Sequence, residues 1–88
     1  MENEFRKELI EEEKKMRRLR FIVDLAQAIL MQQQDLTLRE AFEIVHDAKR
    51  AALALFPDKE PVYDLIYGPR FKKIITQRFV IEGTGSPG

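Results

Sequence analysis

Hydrophobic and polar positions divide the first third of the chain into two parts with different patterns. From residue 2 to residue 20 charged side chains dominate, and from Phe21 to Met31 the chain is almost entirely apolar. Glycine and proline are absent from Glu2 to Gln33. The pattern predicts one continuous helix of roughly 32 residues, about 48 Å long at 1.5 Å per residue. We expect its apolar half to be buried in a domain core and residues 1–18 to project from that core.

A seven-residue repeat of apolar side chains runs along this predicted helix. Such a repeat is typical of helices that pair as coiled coils, because it keeps one apolar seam facing the partner. Glu12 interrupts the second line of the seam, so a solvated helix stabilised by its own charge pairs is an equally weighted alternative. The residues predicted to mediate self-association, most simply as a homodimer, are Phe5, Leu9, Met16, Leu19 and Val23.

A start signal and helical spacing define the second helix. Thr37 and Glu40 fit the capping box S/T-x-x-E, in which each side chain satisfies a backbone N–H of the other residue. Apolar residues then recur at helical spacing as far as Pro57. Several of them are alanines, so a neighbouring helix can approach closely. We expect this helix to pack antiparallel to the second half of the first helix.

Two proline positions divide the rest of the chain. Pro61 suits the first turn of a third helix that begins near Asp58 or Glu60. Gly68-Pro69 predicts a second break, with Gly68 in a left-handed conformation after the third helix and Pro69 in the first turn of a fourth. The residues expected to face inward are Val62, Leu65 and Ile66 on the third helix, and Phe71, Ile74, Ile75 and Phe79 on the fourth.

These elements predict an all-α fold, in which a long N-terminal helix and three shorter helices form a small helical bundle. Residues 1–81 are predicted to form a single helical domain. Residues 82–88 are rich in glycine and include serine and proline, which predicts a flexible C-terminal tail. The chain has 88 residues, near the small end of what folds alone, so self-association can supply part of its stability.

Composition argues against several classes of function. Fifteen basic and fifteen acidic residues give a formal net charge of zero, unlike that of a dedicated nucleic-acid-binding protein. Cysteine is absent, which excludes disulfides, thiolate nucleophiles and cysteine-ligated metals. The longest apolar run is far short of the ~20 residues that span a bilayer, and the charged N-terminus does not resemble a signal peptide. We therefore expect a cytoplasmic protein without a membrane partner.

Few residues offer catalytic or metal-binding chemistry. Glu43 and His46 have the Glu-x-x-His spacing used in di-iron carboxylate bundles, but those sites need a second such pair and His46 is the only histidine. Ser86, the only serine, lies in the predicted tail, and no phosphate-binding or dinucleotide-binding glycine motif is present. We predict no catalytic residue, no bound metal and no cofactor, and hence no enzymatic activity.

Two basic clusters, residues 14–20 and 70–78, support an alternative function. Basic groups close to aromatic side chains can bind nucleic acid through phosphate contacts and base stacking. An antiparallel helix pair also explains the first cluster, since it would oppose the acidic residues 8–13 of a second copy. The candidate phosphate contacts are Lys14, Lys15, Arg17, Arg18, Arg70, Lys72 and Lys73. The candidate surface for a protein partner is Tyr63, Tyr67 and Arg70.

The sequence thus favours a non-catalytic protein-interaction or regulatory module that self-associates through its long N-terminal helix. A small nucleic-acid-associated protein is the alternative. The pattern identifies neither the partner nor the biological process.

Overall fold

The computed structural model describes residues 2–80, and the regular secondary structure over that range is entirely helical, with no strand. This confirms the predicted all-α class. Three α-helices, α1 (Glu2–Gln32), α2 (Leu38–Leu55) and α3 (Glu60–Ile75), form the bundle. A 3₁₀ turn, Pro57–Lys59, precedes α3, and a π-helical turn, Thr76–Val80, follows it. The predicted flexible tail, residues 82–88, lies outside the described residues.

The second half of α1 supplies the central part of the core. Val23 and Leu30 are buried there at 2% and 0% exposure. Three alanines of α2, namely Ala41, Ala48 and Ala52, are also buried. Because their side chains are small, α1 and α3 can both lie close to the α2 backbone, as the alanine-rich pattern predicted.

The capping box at the start of α2 is present. The Thr37 N–H donates to Glu40 Oε1 at 2.9 Å, and the Glu40 N–H donates to Thr37 Oγ1 at 3.1 Å. The Thr37 hydroxyl also donates to Glu40 Oε1, at 3.0 Å. The pKa of the Glu40 carboxyl is lowered first by the hydrogen bond from the Thr37 backbone and then by that from the Thr37 hydroxyl. The predicted start of this helix is therefore confirmed, and it fixes the direction in which the chain leaves the loop after α1.

The predicted break at Gly68-Pro69 is wrong, and with it the prediction of a fourth α-helix. Helix α3 continues through Pro69, and Gly68 does not adopt a positive φ. A helical residue before proline is normally disfavoured by a clash between the proline ring and the preceding Cβ. Gly68 has no Cβ, which removes part of that clash. Burial of Tyr63 and Phe71, on either side of the proline, then favours one continuous helix.

Continuity of α3 also changes which of its faces is buried. Tyr63, Phe71 and Ile75 face the core at 6%, 1% and 6% exposure. Their spacings of eight and four residues are those of a single helical face. The prediction that Val62, Leu65 and Ile66 point inward is wrong, since these side chains are 48%, 78% and 46% exposed. Of the predicted inward residues beyond Pro69, Phe71 and Ile75 are buried, and Ile74 and Phe79 are partly buried.

The bundle is elongated because half of α1 extends beyond it. The molecule measures 64 × 23 × 16 Å, with a radius of gyration of 16.5 Å. A compact domain of this length has a radius of gyration of about 12 Å. Every described side chain from Glu4 to Lys14 is exposed, and Leu19 is the first buried residue of α1. None of the described helices combines the length and apolarity that crossing a lipid bilayer demands.

Candidate interaction surface

Three residues of the predicted seam form an exposed apolar stripe on the projecting half of α1. Phe5, Leu9 and Met16, which we call the N-terminal stripe, are 64%, 50% and 41% exposed. At 100° per residue they lie on the same side of α1 as its core residues, within about 40° of Val23. The face that is buried inside the bundle thus continues past the bundle, where at least half of the Phe5 and Leu9 side chains is exposed.

The other two seam residues have a different role. Leu19 and Val23 are buried in the core of the chain itself, at 8% and 2% exposure. They contact the chain's own bundle and are not available to a second helix while that bundle is folded. The five predicted residues are therefore not one exposed seam: the first three are on the surface and the last two anchor α1 to the bundle.

An apolar groove begins where the N-terminal stripe meets the bundle. Met16 lies at this junction and lines a groove of about 300 Å³. The other apolar residues of its rim are Phe56, between α2 and α3, and Val62, Ile66 and Tyr67 of α3. We call it the α1–α3 groove. Two charged residues, Glu12 and Lys59, also line it. Stripe and groove adjoin, because Met16 belongs to both, and the carboxylate of Glu12 lies on the same side of α1 between Leu9 and Met16.

Lys49 holds the start of α3 against α2 and so positions one wall of this groove. Its Nζ lies 2.9 Å from Glu60 Oε2 and 2.9 Å from Asp64 Oδ1. Hydrogen bonds to Glu60 and then to Asp64 raise the pKa of the Lys49 ammonium group above its ordinary value. Val62, Tyr63 and Ile66 belong to the helical turns that this lysine fixes.

Of the predicted partner surface, Tyr67 and Arg70 reach the surface and Tyr63 does not. Tyr63 is 6% exposed and packs against Tyr67, with 5.2 Å between the ring centroids. Its hydroxyl has no hydrogen-bond partner among the described residues. Burial raises the pKa of Tyr63 to about 12. The Arg70 guanidinium lies 5.7 Å from the centre of the Tyr67 ring, so these two residues form a small cation–π patch beside the groove.

The second basic cluster contains one arginine that serves the fold. Arg78 donates hydrogen bonds to the backbone carbonyls of Leu30 and Gln33, and to that of Gln34 at 3.3 Å. The last carbonyls of a helix lack partners within the helix, so Arg78 caps the C-terminal end of α1. Arg70, Lys72 and Lys73 remain exposed.

The first basic cluster lies elsewhere in the bundle. Lys14, Lys15 and Arg18 lie beside Leu55, at the end of α2, while Arg17 is exposed. Lys15 lies 4.0 Å from Glu12 and 5.9 Å from the centre of the Phe56 ring. Lys72, in contrast, lines a groove with Leu38 and Phe42 at the opposite end of α2. The two clusters therefore do not converge on one surface.

Glu43 and His46 lie on the exposed face of α2, in a shallow depression with Arg39, Phe42 and Asp47. Within residues 2–80, no three or more histidine, aspartate or glutamate side chains are grouped so that they could hold a metal ion.

Sequence reasoning missed Val62 and Ile66 as surface residues because it placed a helix break at Gly68-Pro69. The signal that identifies them is the four-residue spacing of aromatic and apolar residues at Tyr63, Tyr67 and Phe71, which continues across the proline. If this spacing is given more weight than the proline, Tyr63, Tyr67 and Phe71 lie on the core-facing side of one continuous helix. Val62 and Ile66 then lie at the edge of that side.

Comparison of the chain with protein-family models, curated proteins and solved structures gives no significant match. The function is therefore argued from the surface itself.

Proposed function

We propose that this protein is a non-catalytic protein-interaction module that self-associates, most simply as a dimer, through the projecting half of α1. The observation that carries the proposal is the N-terminal stripe. Phe5, Leu9 and Met16 continue the core-facing side of α1 into solvent, and they are exposed in the isolated chain. Apolar residues aligned in this way on an otherwise charged helix are typical of a surface that packs against another helix.

The exposure of the projecting segment supports the same proposal. Helices in proteins gain most of their stability by packing one face. From Glu4 to Lys14 every side chain of α1 is exposed in the single chain. A second helix that covered Phe5 and Leu9 would supply the missing packing.

The test is the absolute mass of the protein in solution, measured by light scattering from micromolar to millimolar concentration. The variant Phe5→Gln/Leu9→Gln should raise the dissociation constant at least tenfold, because each substitution removes an apolar side chain worth about 1.5–3 kcal/mol when buried. The control, Glu4→Gln/Lys7→Gln, changes one acidic and one basic residue that lie away from the stripe on the same turns, and it should leave the mass unchanged. A wild-type protein that stays monomeric throughout would remove the proposal.

Binding of nucleic acid is the competing outcome of these experiments. Its support is weaker, since Arg78 is engaged in capping α1 and the two basic clusters lie apart. Fluorescence anisotropy with a duplex and with a single strand, at 50 and 200 mM salt, tests it. Salt-sensitive binding that is lost in Arg70→Gln/Lys72→Gln/Lys73→Gln, from a protein that is monomeric, would favour that function instead.

A regulatory role and a cytoplasmic location belong to the same proposal. Arg70, which is exposed on α3 and does not line the α1–α3 groove, is the residue at which a different protein could bind the assembled module, since arginine is enriched at interfaces. Arg70→Ala should weaken capture of such a partner without changing the mass of the module. Cell fractionation tests the location.

A further inference from the structure

We infer that the occupant of the α1–α3 groove is the N-terminal half of α1 from a second copy of this chain, bound antiparallel. This inference rests on the proposed self-association and specifies its geometry. A parallel coiled coil would pair the stripe of one copy with the stripe of the other. The antiparallel arrangement instead inserts each stripe into the groove of the other copy, so that one two-fold interface covers both surfaces.

Charge distribution along α1 favours the antiparallel orientation. Glu8, Glu11, Glu12 and Glu13 precede a basic block that begins at Lys14 and ends at Arg20. In a parallel pair, acidic residues would face acidic residues and basic would face basic. A two-fold axis between residues 13 and 14 instead places each acidic block opposite the basic block of the other copy, which lowers the electrostatic energy of the pair.

The same axis aligns apolar residues with the groove. With the axis between residues 13 and 14, Leu9 of one copy lies level with residue 18 of the other. On the bundle, that level is adjacent to Met16 and to the α3 residues Val62 and Ile66, which line the same groove. Phe5 lies one turn further along, level with residue 22 of the other copy. The axis that pairs the acidic and basic blocks therefore also brings the apolar side chains of the stripe to the groove.

The residue shared by the two surfaces favours a second copy as the occupant of the groove. Met16 belongs both to the N-terminal stripe and to the α1–α3 groove, so the α1 helix of a second copy that packs on the stripe also lies beside the groove. Symmetry then fills both grooves, which is the closed, self-complementary form that homodimers commonly take. Ile66 and Val62, exposed in the single chain, become buried.

Absence of cysteine from the sequence allows a direct test of orientation in the full chain. Single variants Leu9→Cys and Ile66→Cys are mixed in equal amounts and oxidised, and the products are separated on a non-reducing gel. The antiparallel pair predicts a covalent heterodimer in the mixture. Leu9→Cys alone should not cross-link, because its two copies lie about 14 Å apart, nine residues along the helix, whereas a disulfide requires Cα atoms within about 7 Å.

A second experiment tests the groove. Ile66→Glu should reduce dimer affinity at least tenfold, because it places a charge where Leu9 of the second copy would pack. Its matched control is Leu65→Glu, on the neighbouring position of α3 that is 78% exposed and does not line the groove, and it should leave the dimer intact. Circular dichroism establishes that both variants remain helical. If Ile66→Glu unfolds, the cross-linking result decides.

The outcomes separate the inference from the function on which it rests. A dimer in which Leu9→Cys cross-links with itself, and in which Ile66→Glu has no effect, overturns the antiparallel groove while leaving self-association in place. A monomer at every concentration that forms no cross-link overturns both. A mixed cross-link together with loss of the dimer in Ile66→Glu supports both.

Discussion

At the residue scale, the hydroxyl of Tyr63 is the least favourable group in the core. It is buried, and it has no hydrogen-bond partner among the described residues. A buried hydroxyl without a partner loses its hydration and gains nothing in return, at a cost of about 1–3 kcal/mol. The ring itself contributes to stability, because it packs against Tyr67 beneath the groove.

Tyr63→Phe should therefore increase the free energy of unfolding at pH 7 by about 1 kcal/mol, since it keeps the ring and removes the unsatisfied hydroxyl. The free energy of unfolding is measured by urea denaturation. Tyr67→Phe, which removes a hydroxyl from a partly exposed ring in the same helix, is the control and should change it little. A loss of stability in Tyr63→Phe would mean that the hydroxyl has a partner after all.

Alkaline pH provides a second measurement on the same residue. The folded state raises the pKa of Tyr63 to about 12 from its ordinary value of 10.0, so between these values the unfolded chain releases a proton that the folded chain retains. The contribution of Tyr63 to the free energy of unfolding is therefore fully present below pH 10 and is lost as the pH rises toward 12. Lys49 acts in the same direction above its ordinary pKa of 10.5, because its ion pairs with Glu60 and Asp64 favour the charged form. Tyr63→Phe should reduce the slope of the unfolding free energy against pH in this interval. An unchanged slope would mean that ionisation of Tyr63 does not cause the loss of stability.

At the element scale, Arg78 joins the π-helical turn to the end of α1. Arg78→Gln should lower the free energy of unfolding by about 1–2 kcal/mol, because the carbonyls of Leu30 and Gln33 lose charge-assisted hydrogen bonds. Lys73→Gln removes a basic residue of the same cluster that is exposed, and it should have an effect close to zero. Urea denaturation compares the two variants. Equal effects would show that net charge, and not capping, explains the loss.

The proline in α3 gives a second element-scale prediction. Pro69 lies inside the helix, where it lacks the N–H that would donate to the carbonyl four residues earlier. Pro69→Ala should raise the free energy of unfolding by about 1–2 kcal/mol, less than the full helix-interior penalty because the unfolded chain also becomes more flexible. Pro61→Ala is the matched control in the first turn of α3, where no N–H is needed, and it should not stabilise. A less helical Pro69→Ala variant would contradict a continuous α3.

The sequence was sufficient for elements whose signals are local. The capping box at Thr37 and the long first helix depend only on neighbouring residues, so propensity and spacing predict them. The continuity of α3 depends on a competition between the local cost of Pro69 and the burial of Tyr63 and Phe71 in the core, and burial is not visible in a local window. The helix break predicted at Gly68-Pro69 also affected the candidate site. The sequence identifies Phe5, Leu9 and Met16 as surface residues, but it does not identify Val62 and Ile66.

At the scale of the whole molecule, the bundle leaves much apolar surface uncovered. Besides the N-terminal stripe and the α1–α3 groove, a third surface lies between α1 and α2, where Phe21 and Leu25 are 65% and 48% exposed. Chains of this size bury only about 60–65% of their unfolded surface, so some exposure is ordinary. What distinguishes Phe5 and Leu9 of the stripe is their position on the part of α1, from Glu4 to Lys14, in which every side chain is exposed.

Thermal stability should therefore depend on protein concentration. A dimer binds only the folded state, so raising the concentration from about 5 to 500 μM should increase the melting temperature by several degrees if the dissociation constant lies in the micromolar range. Phe5→Gln/Leu9→Gln should reduce this dependence while retaining the melting temperature of the dilute wild-type protein, because neither residue belongs to the core of the bundle. Circular dichroism at 222 nm, in cells of matched path length, measures both. If the wild-type melting temperature does not change over this range, the projecting half of α1 does not derive its stability from a second copy.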